Sequence, residues 1–207
     1  MGMYSRWILP RLVDWAMQTS EVTPYRETLI PLASGCVLEI GVGSGLNFPF
    51  YGPAVDRIIG LDPSRVLLRR AAARSSGMLQ PIHLIQSSAE AIPLRSETVD
   101  TVVMTWVLCG IPDAKQALRE MYRVLRPTGQ LLFVEHGLAP EPKVARWQHR
   151  LDPLWTRVSC HLDRPMDALI SGAGFAITDL KTGYLGHGPR LATYMYAGRA
   201  MPIGGST

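Results

Sequence analysis

Little in this sequence points to a secreted, membrane-spanning or nucleic-acid-binding protein. Its cysteines number three, Cys36, Cys109 and Cys160, an odd count without Cys-x-x-Cys spacing, so no disulfide framework is expected. No charged segment followed by a long apolar run opens the chain, so no secretory leader is read and a reducing cytoplasm is the expected compartment. Apolar runs such as Leu131 to Val134 fall far short of the roughly 20 residues a membrane helix requires. Excess charge of one sign is also scarce. The 21 Lys and Arg exceed the 17 Asp and Glu by only four, and they are scattered rather than gathered into a basic stripe. No nucleic-acid partner is therefore expected.

What is present suits one folded core. Hydrophobic residues make up 47% of the 207 and charged residues 18%, with a mean hydropathy of +0.09, and no linker-like stretch separates two halves. The chain reads as a single domain, with an N-terminal helical cap over 1–34, a ligand-binding core over 35–137, and helices with a terminal hairpin over 138–207. Short β-rich runs alternate with helical patterns, the signature of an α/β fold with a parallel sheet. Strands are predicted at Cys36 to Ile40, Arg57 to Asp62, Ile82 to Ser87, Val99 to Thr105 and Gln130 to Glu135. Helices are predicted from about Ser64 to Ser75 and from Ala114 to Leu125. Phe175 to Lys181 and Thr193 to Gly198 are β-rich but joined by a glycine-rich segment with no helix, which predicts an antiparallel pair.

The strongest local signal is VLEIGVGSGLN, Val37 to Asn47, where an apolar strand runs into Gly41, Gly43 and Gly45. Glycine permits positive φ and removes the Cβ that would hold a ligand away from the main chain. Asp62 follows Gly41 by 21 residues, about the spacing expected of a carboxylate that accepts from ribose hydroxyls. A dinucleotide loop requires glycine where Leu46 stands, and a carboxylate at Glu39 would repel a pyrophosphate while suiting an ammonium. No Gly-Lys-Ser/Thr follows, which excludes a Walker loop. An S-adenosylmethionine-type ligand is favoured over NAD.

On LEIGVGSGLNFPFY, GLDPS, SSAEAIPL, VDTVVMTWVLCGIPD and REMYRVLRPTGQLLFVEHG, the chain resembles the class I S-adenosylmethionine-dependent methyltransferases. The tail residues Trp147, LDPLW, CHL and Arg164 are similar to the subgroup containing the methyltransferase-like 7 thiol methyltransferases. The resemblance implies a Rossmann-like three-layer α/β/α sandwich around a seven-stranded, mostly parallel sheet ending in an antiparallel C-terminal hairpin. It implies S-adenosylmethionine as cofactor and S-adenosylhomocysteine as product. By motif position Glu39, Gly41 and Gly43 would face the methionine part, Asp62 the ribose, and Ser88, Ala89 and Glu90 the adenine edge. Thr105 and Leu108 would close the pocket, with Val42, Gly45, Asn47 and Pro63 completing the cofactor set. Two departures stand out: many relatives carry Asp where Ser88 stands, and Thr128 occupies the first glycine slot of the usual turn.

His136, at the end of the fifth strand beside Glu135, is the candidate base for a protonated acceptor, or else a structural histidine fixing the strand end. Cys160 and His161 adjoin, but without further ligands at short spacing no metal is expected. Trp106 could offer an aromatic face to a sulfonium, or simply pack in the core. Ile8, Leu12 and Trp15 predict an amphipathic helix after Pro10, and Trp147, Leu151, Leu154, Trp155 and Val158 form a second apolar stretch. Two such covers suggest a small lipophilic acceptor, while a membrane surface, a second subunit or plain packing on the sheet are alternative uses. A thiol acceptor is favoured, with a lipid or quinone head group next and a non-catalytic S-adenosylmethionine-binding module as the rival class.

Overall fold

The computed structural model describes residues 19–156, 160–186 and 188–204. The predicted helix around Leu12 lies outside them, as does Val158. Helix α1, Thr23–Leu29, leads into β1, Gly35–Ile40, and β2, Val55–Leu61. Helix α2, Arg65–Ser75, and β3, Ile82–Ile85, follow, then β4, Val99–Thr105, and α3, Ala114–Val124. Strand β5, Leu125–His136, precedes α4, Pro142–Trp155, and α5, Met166–Gly172. Strands β6, Phe175–Tyr184, and β7, Tyr194–Pro202, end the described chain.

All seven strands form one sheet in the order β3, β2, β1, β4, β5, β7, β6. The first five pair in parallel, whereas β7 runs antiparallel to both β5 and β6. Because successive strand residues point to opposite faces, the apolar runs feed two separate cores. Leu38, Val102, Met104, Leu131 and Phe133 pack on α3 and α5 on one face. Val37, Ile58, Val103, Leu132 and Val134 join Leu29, Leu68 and Ala71 of α1 and α2 on the other. This is the three-layer sandwich expected.

Both predicted helices carry side-chain caps. Ser64 accepts from Leu67 N, and Asp113 accepts from Gln116 N, each satisfying an amide that the first turn leaves unpaired. Strand β3 is shorter than expected, ending at Ile85 where pairing with Leu61 stops. Strand β5 is longer, because Leu125 already pairs with Val99 ahead of the Thr128 turn.

The apolar stretch at Trp147, read from sequence as a cover for the pocket or else as packing on the sheet, is helix α4. Its buried residues, however, are Gln148 and Asp152, while Trp147, Leu154 and Trp155 are 54%, 63% and 41% exposed. The reason is local. Gln148 takes the Ala139 N–H and donates to the Gly137 and Leu191 carbonyls, and Asp152 accepts from Leu162 N, so α4 docks by satisfying loop backbone. Among the described residues no helix is long and apolar enough to cross a membrane.

The chain leaves β1 outward through β2 and β3, then returns to β4 on β1's other side. That reversal opens a crevice at the carboxyl ends of β1 and β4, where open α/β sheets bind ligands.

Candidate cofactor site

The crevice holds a cavity of about 420 Å³, within the roughly 300–1,000 Å³ typical of small-molecule sites. Of the residues singled out from sequence, Glu39, Gly41, Val42, Gly43, Asn47, Asp62, Pro63, Ser88, Ala89 and Thr105 line it. Gly45, Glu90, Leu108 and His136 are not among the lining residues.

The loop after β1 is built on left-handed glycines. Gly41 has φ +64°, and a Cβ there would stand 2.3 Å from Val107 Cγ2, so this bend admits no side chain. Gly43, at φ +56°, has open space where a Cβ would project, with only the Gly41 carbonyl at 3.8 Å. It is there that a ligand can reach bare main chain. Gly45 packs instead against the Phe48 ring, which makes it a structural member of the loop.

Asp62 ties this loop to the end of β2. Its Oδ2 accepts from Gly43 N at 3.0 Å and its Oδ1 from Ser64 N at 2.7 Å, so one carboxylate orders the glycine bend and the entry to α2. Burial pushes its pKa up, and the two amide bonds pull it back. Each oxygen keeps a lone pair for a ligand hydroxyl.

Glu39 lies beneath the loop in a polar network that the sequence reading did not foresee. Tyr51 OH donates to its Oε2 at 2.8 Å, and Asn47 Nδ2 donates to its Oε1 at 2.9 Å and to Thr105 Oγ1 at 3.0 Å. Arg26, from α1, in turn donates to Asn47 Oδ1 at 3.0 Å. The parallel register pairs Glu39 with Val103, which puts Glu39 and Thr105 on one face of the sheet. Burial raises Glu39 to about 7, against the hydrogen bonds from Tyr51 and Asn47 and the charge of Arg26. The site thus holds a carboxylate whose ionisation is poorly compensated, a setting that favours a cationic ligand.

On the opposite wall Ser88 and Ala89 line the cavity, but Glu90 turns away. Its Oε2 accepts from the Ser88 hydroxyl at 2.8 Å and its Oε1 from Asp113 N at 2.8 Å. Glu90 therefore braces the loop rather than offering a free acceptor. Leu108 is likewise buried in the core below the cavity.

Sequence reasoning missed Arg26, Val107 and Ile111, all of them lining, and Trp106, weighed there as an aromatic face or a core residue, lines the cavity too. Trp106 carries φ +51°, an unfavourable backbone state for a bulky side chain. Its indole Nε1 is buried without a hydrogen-bond partner. Arg26 stacks over this ring at 5.0 Å and Tyr25 meets it edge-on at 6.2 Å, so the aromatic face considered for a sulfonium already bears a guanidinium. Glu135 holds the turn that follows. Its carboxylate accepts from Val107 N at 2.7 Å, Leu108 N at 2.8 Å and Cys109 N at 3.3 Å, while burial raises it to about 7.

His136, the candidate base, is 9% exposed, with Nε2 at 3.0 Å from Cys160 Sγ and Nδ1 unpartnered. It faces two thiols rather than the cavity. His161, beside Cys160, pairs with Asp152 at 2.9 Å.

Residues 38–133 match the family model described as a methyltransferase domain. Thiol S-methyltransferase TMT1B of Rattus norvegicus is 32% identical over 151 residues, covering 70% of this chain and 62% of its own length. The chain thus spans about three fifths of that relative. Phosphatidylethanolamine N-methyltransferase of Cereibacter sphaeroides is 34% identical over 159 residues, covering 72% and 76%. Among solved structures, a Burkholderia thailandensis 1,6-didemethyltoxoflavin-N1-methyltransferase with bound S-adenosylhomocysteine superposes with a TM-score of 0.70 at 15% identity, covering 94% of this chain and 84% of that one. Sheet order, glycine bend and sequence identity agree: the chain belongs to the class I S-adenosylmethionine-dependent methyltransferases.

Proposed function

We propose that this chain transfers a methyl group from S-adenosylmethionine to a small lipophilic acceptor, a thiol. The observation that carries the cofactor reading is the pair of buried acids, Glu39 and Asp62, lining one cavity with an open main-chain bend at Gly43. Such a site suits a cationic nucleoside and repels a diphosphate. The bound cofactor supplies an electrophilic methyl carbon on a sulfonium. Glu39, oriented by Tyr51 and Asn47, accepts from the ammonium, and the Arg26 guanidinium meets the carboxylate. Asp62 accepts from the ribose hydroxyls, while Ser88 and Ala89 flank the adenine. In-line displacement is chiefly a matter of positioning, so an acceptor arriving as a thiolate needs no resident base within the cavity.

The thiol preference draws on the similarity to thiol S-methyltransferase TMT1B and on the largely apolar walls formed by Trp106, Val107 and Ile111. Incubation with labelled S-adenosylmethionine and a panel of alkyl thiols, phenols, amines and phosphatidylethanolamine vesicles is expected to yield methyl thioethers. Products confined to amines or lipids would overturn the thiol reading. Tight cofactor binding without any product would indicate a sensor instead. One observation favours a lipid head group as the second reading: α4 exposes Trp147, Leu154 and Trp155 among Lys143, Arg146 and Arg150, a pattern suited to a membrane interface.

A pH signature follows from Glu39. The ammonium is bound by the ionised carboxylate, and with its pKa near 7 the ligand-free protein carries a proton there in more acidic solution. Cofactor affinity should therefore fall as pH drops below about 7, by up to about tenfold per unit. Calorimetry at several pH values tests this, and the Glu39→Gln variant should bind weakly with a flat profile. An equally steep profile in that variant would place the titrating group elsewhere.

A further inference from the structure

Cys109, His136 and Cys160 come from three separate places in the chain: the turn after β4, the end of β5, and the segment between α4 and α5. The fold brings them together, and the two sulfurs and a ring nitrogen lie within 4.8 Å of one another. His136 Nε2 is 3.0 Å from Cys160 Sγ, and Cys109 shares a hydrogen bond with Cys160. Cys109 and His136 are buried and Cys160 half-buried.

Each of the three is held by its own backbone anchors. Glu135 accepts from Cys109 N, and His161 N donates to the Cys109 carbonyl at 2.8 Å. Arg164 donates to the Leu108 carbonyl, and Leu138 N to the Arg164 carbonyl at 2.9 Å, which clamps the Cys160 segment against the other two. His136 itself pairs with Met195 in the β5 to β7 ladder. The cluster is thus preorganised rather than a chance meeting of mobile side chains.

Nothing in the proposed methyl transfer uses these groups. The His136 ring is buried with Nδ1 unpartnered, so its one polar contact is made through Nε2, the nitrogen facing the thiols. Two cysteine sulfurs and an imidazole nitrogen are the donor set of zinc sites with three protein ligands. Around a tetrahedral ion with Zn–S near 2.3 Å and Zn–N near 2.0 Å, ligand atoms stand about 3.5 to 3.8 Å apart. The present spacing reaches that with small side-chain movements.

We propose that Cys109, His136 and Cys160 form a binding site for one thiophilic divalent metal ion of the zinc class, with a fourth position left to water. Both thiols bind as thiolates, each releasing a proton to solvent, and the imidazole binds neutral through Nε2. The ion ties the Leu108–Gly110 turn to β5 and to the segment before α5, next to the cavity wall at Val107 and Ile111.

Cobalt(II) added to chelator-treated, reduced protein provides the test. One equivalent should bind with a thiolate-to-cobalt charge-transfer band in the near ultraviolet, and zinc(II) should displace it. Cys160→Ser should reduce the band by about half, His136→Ala should weaken binding at least tenfold, and Cys36→Ser should change neither. The Asp152, His161 and Asp163 group has no sulfur, so it cannot produce the band. Absence of the band in the wild-type protein would overturn the proposal, as would full intensity in Cys160→Ser. Because Cys160 is only half-buried, its serine variant can be checked for folding by circular dichroism before titration.

Discussion

Asp62→Ala is expected to weaken S-adenosylmethionine binding by at least about a hundredfold while leaving the chain folded. In the proposed site two ribose hydroxyls would lose a charged acceptor, each such bond contributing about 1.5–3 kcal/mol, and about 1.4 kcal/mol corresponds to tenfold in affinity. The same carboxylate holds Gly43 N and Ser64 N, so its removal also frees the bend that the ligand must approach. Folding should survive because both amides border the cavity, where water can replace the lost acceptor. Burial already disfavours the Asp62 charge, which offsets part of the loss. Asp62→Asn, keeping one acceptor oxygen, should fall between alanine and wild type. Calorimetric titration of each variant checks the order, and wild-type affinity in the alanine protein would remove Asp62 from the site.

Glu135→Ala should act on stability instead. Its carboxylate is the acceptor for three consecutive amides, those of Val107, Leu108 and Cys109, in a turn where Leu108 and Cys109 are buried. Leaving buried donors unpaired costs about 1–3 kcal/mol each, so a loss of about 3 kcal/mol or more is expected even after one amide finds water. For a chain of this size that corresponds to a fall of roughly 6–12 °C in Tm. Cofactor affinity should drop too, since Trp106 and Val107 in the same turn line the cavity. Glu135→Gln retains one acceptor oxygen but turns an amide group toward the N–H donors, so it should recover only part of the loss. Thermal and denaturant unfolding decide the point. A change within about 1 kcal/mol would mean that the turn is held by packing alone.

The contrast between Asp62 and Glu90 shows how far local sequence reaches. Asp62 is readable because strand, glycine loop and second strand set its distance from Gly41 along the chain, and that distance is itself the geometry of the unit. Glu90 sits in an equally recognisable motif, yet its carboxylate is drawn away by Asp113 N, 23 residues further on. Spacing locates a residue on a loop, whereas the direction of its side chain depends on what else needs a partner nearby. The same rule explains α4. Its apolar residues were legible as a cover, but Gln148 and Asp152 answer unpaired backbone groups at Gly137, Ala139, Leu162 and Leu191, and that requirement turned Trp147 and Trp155 outward.

The sequence by itself determined the class of the fold, the alternation of strands and helices, the reversed terminal pair, and the glycine bend with the acid that closes the second strand. These follow from the period of apolar residues and from the conformational freedom of glycine, which act over a few residues at a time. Only the tertiary structure decided that Arg26 and Tyr51 complete the Glu39 network, that Glu135 holds the cavity wall, and that Cys109, His136 and Cys160 meet. Those contacts join positions distant along the chain, and their partners are selected by the sheet order and by the demand of each buried polar group for a partner.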